Sequence, residues 1–176
     1  MKLISKRHVP AALAVLLALG GTLAAGPARA DDLCPGAEQI YRQGDYPKFV
    51  AELKRLSEAG DSGCMARLGA VLRDGVIVTR DVPGAISWYR KSADAGNAFA
   101  QFELGTMYDN GFGVPQDQAE AARWYTKSAD QGYVMALRNL AVLYDEGLGV
   151  PQDKAKAAEL YEKAETAQPG VGWLPK

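Results

Sequence analysis

The residues able to do chemistry are few in this chain of 176. Its one histidine, His8, lies in a segment expected to be cleaved, and histidine is the commonest general base and metal ligand. The serines Ser57, Ser62, Ser87, Ser92 and Ser128 sit in neither a Gly-x-Ser-x-Gly elbow nor a Ser-x-x-Lys pair. Carboxylates such as Asp145-Glu146, Glu162 and Glu165 read as solvated helix faces. Asp109, Asn110, Asp145 and Glu146 are oxygen donors of the kind calcium takes, but their small number points to an acidic rim. No catalytic residue, metal or cofactor is assigned, and the chain is read as a non-enzyme. Cys34 and Cys64 remain. An even pair in an exported chain reads as a structural disulfide, closing a loop that stabilises by roughly 3 kcal/mol. A redox pair is the alternative, with no Cys-x-x-Cys spacing and no histidine to lower a thiol pKa.

Export is read from the first 30 residues. Lys2, Lys6 and Arg7 precede an apolar run from Val9 to Ala25, and Ala28-Arg29-Ala30 supplies a small-x-small cleavage pattern. Residues 1–30 are therefore expected to be a signal peptide. A membrane anchor is the competing reading, but Gly20, Gly21 and Gly26-Pro27 interrupt the run, short of the roughly 20 apolar residues a span needs. Asp31-Asp32-Leu33 before Cys34 lacks the small apolar residues that precede a lipidated cysteine, so no membrane insertion is expected after cleavage. The segment takes four of the 20 basic residues and none of the 21 acidic ones, which leaves 16 against 21 and a net charge of −5. Such a balance gains nothing from phosphate neutralisation and argues against nucleic acid. A periplasmic location is expected, with secretion as the alternative.

What positions these residues is an internal repeat. Leu68-Gly69, Leu104-Gly105 and Leu140-Ala141 recur at steps of 36, as do Gly75, Gly111 and Gly147, and Asp81, Asp117 and Asp153. Trp88-Tyr89, Trp124-Tyr125 and Leu160-Tyr161 keep the same register. In the middle copy Ala100, Leu104 and Tyr108 mark one face of a helix, and Gly111 is placed to end it in the left-handed conformation. Pro115 blocks continuation, and Asp117 with Glu120 offers a capping box for a second helix. Asn110-Gly-Phe-Gly-Val has no preceding strand and no following Gly-Lys-Ser/Thr, so its glycines are turn chemistry. Each copy is a helix hairpin that buries its apolar face only by stacking on neighbours.

The pattern resembles the Sel-one-like repeat (SLR) family of tetratricopeptide-like solenoids, over residues 62–97, 98–133 and 134–167. The first copy departs most: Ile77 replaces a loop glycine, and Arg73 is read at the tyrosine position. Residues 31–61 read as a degenerate leading hairpin, with Gly44-Asp45-Tyr46 as its turn, Cys34 opening its first helix and Cys64 opening the next. Residues 168–176 cannot continue a helix, and Trp173 and Leu174 are read as a cap on the last hairpin, with a loose tail or a dimer contact as alternatives. The expected fold is an all-α, right-handed α/α solenoid, and a monomer is favoured.

The resemblance implies recognition on a concave surface lined by the first helix of each hairpin. With Leu104 inward, the opposite side of its helix carries Phe99, Phe102, Thr106 and Asp109. The equivalents are Met135, Arg138, Val142 and Asp145 in the last copy, and Gly63, Ala66, Ala70 and Arg73 in the first. These residues are expected to dock a protein or peptide partner. Packing of Phe99 and Phe102 between hairpins is the alternative, whereas Trp88 and Trp124 are assigned to the core. The resemblance further implies an adaptor or scaffold in the periplasm. A secreted host- or cell-interacting factor is the runner-up. A binder or enzyme of cell-wall fragments or β-lactams is a third reading, which the missing Ser-x-x-Lys leaves without a carrier.

Overall fold

The computed structural model describes residues 34–167; the cleavable segment expected over 1–30 and the capping tail at 168–176 lie outside the described residues. Within them are eight helices: α1 (Pro35–Arg42), α2 (Tyr46–Glu58), α3 (Ser62–Asp74), α4 (Val82–Asp94), α5 (Ala98–Asn110), α6 (Gln118–Ala129), α7 (Val134–Glu146) and α8 (Lys154–Thr166). Each helix packs chiefly on the one before and the one after it, which is the arrangement of an all-α solenoid.

The helix ends follow from side chains at fixed places. Asp45, Asp81, Asp117 and Asp153 each accept a hydrogen bond from the backbone N–H three residues on and so start α2, α4, α6 and α8. Asp61 and Asn97 do the same for α3 and α5, whereas Tyr133 opens α7 with no side-chain cap. Gly75, Gly111 and Gly147 end the first helix of each copy at φ 67°, 65° and 73°. The expected capping box is only half formed. The backbone N–H of Asp117 is already taken by the Tyr108 carbonyl at 2.9 Å, and the Glu120 carboxylate turns to Arg123 at 3.0 Å.

That same backbone bond corrects the register of the first copy. Asp81, Asp117 and Asp153 donate to the carbonyls of Leu72, Tyr108 and Tyr144, so Leu72, and not Arg73, stands at the tyrosine position. The pillars of the stack are Tyr89 and Tyr125, both fully buried. Each ring lies flat on a glycine of the preceding helix: a Cβ on Gly69 would come within 2.9 Å of the Tyr89 ring, and one on Gly105 within 2.5 Å of Tyr125. In the third copy Ala141 fills the glycine place, and Tyr161 is 39% exposed. Trp124 is buried as expected, but Trp88 is only half-buried. Leu72 is smaller than the tyrosines at its place, and beside it a cavity of about 370 Å³ is lined by Lys54, Leu68, Leu72 and Trp88.

The leading hairpin is shortened as read. Its first helix has 8 residues, and Phe49 is fully buried where the other copies place Ala85, Ala121 and Ala157. Cys34, at the N-terminus of α1, is joined to Cys64 in α3, with their Cα atoms 4.6 Å apart. Two clasps close the bases of the following hairpins. Ser92 donates to the Ser62 carbonyl at 2.6 Å, and Ser128 to the Ala98 carbonyl at 2.7 Å, both from fully buried positions.

Candidate binding surface and the pocket between repeats

The residues expected to dock a partner divide into three groups. On α7, Met135 (48% exposed), Arg138, Val142 (39% exposed) and Asp145 all face outward, because spacings of three, four and three keep them on one side of a helix. Asp145 also uses its backbone carbonyl to accept from Gln152 at 2.7 Å.

On α5 the outcome differs. Phe99 follows the alternative reading, packing between hairpins, and is buried: its ring meets Tyr89 edge-on at 6.3 Å and Tyr133 at 6.4 Å. Phe102 is half-buried, 5.2 Å from Tyr133 and 6.0 Å from Tyr125. The reason is that Tyr133, at the entrance to α7, projects between repeats and draws both phenylalanines into an aromatic stack. Ala66 and Ala70, the first-copy counterparts, are buried as well. Thr106 and Asp109 are half-buried and serve the Tyr125 hydroxyl, which donates toward Thr106 Oγ1 (3.3 Å) and Asp109 Oδ2 (3.4 Å) and accepts from Asn139 at 3.1 Å.

The third group is a pocket of about 540 Å³ between the first and second copies, to which Arg73 and Thr106 both contribute. Asp74, Arg80, Glu103, Asn110 and Phe112 complete most of its wall. Arg73 is shared by two carboxylates, Asp74 at 2.8 Å and Glu103 in a short bond. Burial acts against the Arg73 guanidinium, but the two carboxylates outweigh it and hold the group firmly charged. Glu103 is nearly buried, and the cost of desolvating it exceeds the help from Arg73, so its pKa is raised. Beneath them the Tyr89 hydroxyl is buried without a hydrogen-bond partner, and burial raises it well above its ordinary value. Arg80 is exposed; its guanidinium lies 5.2 Å from the Phe112 ring centre, and its Nε donates to the Arg73 carbonyl at 3.0 Å.

Arg80, Glu103, Asn110 and Phe112 were not expected at a site. The signal available was the 36-residue step itself, since Arg80 stands where the later copies carry Gln116 and Gln152, and Glu103 where the next carries Asn139.

A comparison with curated protein sequences gave no match. Among solved structures, a protective antigen present in uropathogenic Escherichia coli strains, displaying an SLR fold, is similar at 38% identity and TM-score 0.65. The match covers 66% of this chain and 25% of that one, so the chain spans about a quarter of the antigen's length. A Sel1 repeat protein from Oxalobacter formigenes is similar at 33% identity and TM-score 0.65, over 67% of this chain and 90% of that one. Helicobacter pylori cysteine rich protein B, at 20% identity and TM-score 0.56 over 69% of this chain and 92% of that one, shares the fold. The Sel1 repeat profile matches at residues 62–97, 98–133 and 134–167, and with three adjoining copies in a single register the chain belongs to the Sel1 repeat family.

Proposed function

We propose that this chain is an exported, non-catalytic adaptor that captures a protein or peptide segment along the face formed by α3, α5 and α7. Sel1 repeats generally mediate contacts between proteins. The observation that carries the reading for this chain is the line of Met135, Arg138, Val142 and Asp145 on α7. It exposes two large apolar side chains with charges beside them, and among the described residues no core residue covers it. The groups that acid–base or nucleophilic chemistry needs are not gathered at this face. The disulfide favours an oxidising compartment. Among the described residues no helix is long and apolar enough to cross a membrane.

The test pairs two variants. Met135→Glu and Val142→Glu are each expected to weaken partner capture from envelope extracts by about tenfold or more. Their melting temperatures should stay with that of the unmodified chain, because both positions are exposed. Capture unchanged in both variants would remove the α7 face from the reading.

A secreted factor acting on a host or neighbouring cell is the second reading. It draws on the likeness to a protective antigen, of which this chain matches a quarter. Fractionation of cells producing the full chain separates the two, since retention in the periplasm supports the adaptor and release into the medium supports the secreted factor.

A further inference from the structure

We infer that the pocket between the first two repeats receives an acidic side chain, Asp or Glu, of the bound segment, with the Arg80 guanidinium as its receptor; this rests on the docking reading above and specifies part of the partner's chemistry. The repeat supplies its own control. Arg80, Gln116 and Gln152 occupy one place in three copies, and each donates a side-chain N–H to the carbonyl seven residues earlier, at 3.0, 2.8 and 2.7 Å. That bond holds the loop against the end of the first helix, and a neutral amide performs it twice. In the first copy an arginine performs it through Nε alone. Its two terminal nitrogens and its charge are surplus to the structural task.

No carboxylate among the described residues takes up the surplus. Arg80 makes no ion pair among the described residues, although the chain beyond the cleavable segment is acidic. Arg73, in the same pocket, differs: Asp74 and Glu103 already neutralise it, and both are occupied in doing so. Among the described residues Arg80 is therefore the one pocket cation still able to take a carboxylate. It is also held ready. The Nε bond fixes one edge of the guanidinium and the Phe112 ring underlies the group, so the end bearing Nη1 and Nη2 is free for a two-point contact with a carboxylate. Phe112 and Met107 offer apolar walls for the methylenes of an incoming side chain, and a cavity of about 540 Å³ accommodates it together with its neighbours.

The experiment uses the full chain and peptides displayed on phage, whose C-termini are fused and carry no free carboxylate. The tightest are then synthesised both as C-terminal amides and as free acids and measured by fluorescence anisotropy. Selected peptides are expected to share an Asp or Glu at one position. Replacing it by Asn or Gln should weaken binding about tenfold or more. Arg80→Gln should weaken the acidic peptide by a similar factor, with little further loss when both changes are combined. Its stability should fall by no more than about 1 kcal/mol, the worth of the contact with Phe112, because glutamine already keeps the loop bond in two copies. Equal binding of the acidic peptide by the unmodified chain and Arg80→Gln would overturn the inference, as would selected peptides with no acidic preference. Binding only by peptides with a free C-terminus would overturn it too. If peptides respond to Met135→Glu and Val142→Glu but not to Arg80→Gln, the docking reading stands and this inference falls. If no peptide is selected, both fall.

Discussion

Breaking the Cys34–Cys64 bond offers the most quantitative test of how the array is held together. The bond closes a loop of sequence separation 30 that contains all of α1 and α2. Chain entropy gives about 3.6 kcal/mol for a loop of that length, the freedom an unlinked unfolded segment regains. The folded side changes little, because both sulfurs are buried and reduced cysteine packs as a small apolar group. A solenoid couples each unit only to its neighbours, so the loss should fall on the leading hairpin and not spread evenly. The assay is amide hydrogen exchange on the oxidised chain, the reduced chain and the Cys34→Ser/Cys64→Ser variant. Protection of α1 and α2 should fall by about 400-fold, which is that free energy expressed as an opening equilibrium. Protection in α5 and α6 should be nearly unchanged. Equal protection of α1 before and after reduction would refute the reasoning, and so would a loss spread uniformly to α8.

Other substitutions probe the stack and the pocket. Gly105→Ala places a Cβ within 2.5 Å of the Tyr125 ring and should lower stability by about 1–3 kcal/mol in thermal unfolding. Phe99→Glu should destabilise by about 3 kcal/mol or more, since it buries a carboxylate inside an aromatic stack. Met135→Glu should stay within about 0.5 kcal/mol of the unmodified chain. Asp117→Ala removes the cap bond to Glu120 and should cost about 1 kcal/mol in chemical denaturation. Glu103 has a raised pKa in the folded state, with burial as the main cause. Between the ordinary carboxylate value of 4.5 and the raised one, the folded chain holds a proton that the unfolded chain has lost. Its favourable contribution is therefore present below pH 4.5 and lost as the pH rises through that window. Denaturation midpoints measured across it should decline less steeply for Glu103→Gln.

The fold was largely legible because its determinants are local and repeated. Asp caps, left-handed glycines and the Leu-Gly pair recur at one spacing, and a step of 36 residues needs no tertiary information to be seen. The α7 surface was legible for a similar reason, since helical periodicity alone turns Met135, Arg138, Val142 and Asp145 outward together. For Phe99 periodicity left two readings open, surface or packing between hairpins. Its burial depends on Tyr133, a residue of the next repeat's entrance that helix periodicity within α5 does not see. Trp88 packs on the core but is only half-buried, and the cavity it lines with Leu72 was not visible while Arg73 was read one residue out of register. The pocket was missed for a third reason. Its walls come from the end of α3, the following loop and the middle of α5, and their convergence is set by how one hairpin sits on the next. What distinguishes Arg80 is visible only when the three copies are laid over one another and the bond it shares with two glutamines is known.

The two buried serine clasps give the molecule a mechanical polarity. Ser92 ties α4 to the start of α3, and Ser128 ties α6 to the start of α5, but Ala164 occupies the corresponding place in α8 and forms no such tie. A load drawn along the array therefore meets graded resistance: a covalent lock at the first hairpin, hydroxyl latches on the next two, and no such latch on the last. Pulled from its two ends, the protein should unzip from α8 inward, shedding its final hairpin at low force while the part that holds Arg80 stays folded. A partner bound across several hairpins would thus grip a spring that is stiff at one end and yields at the other.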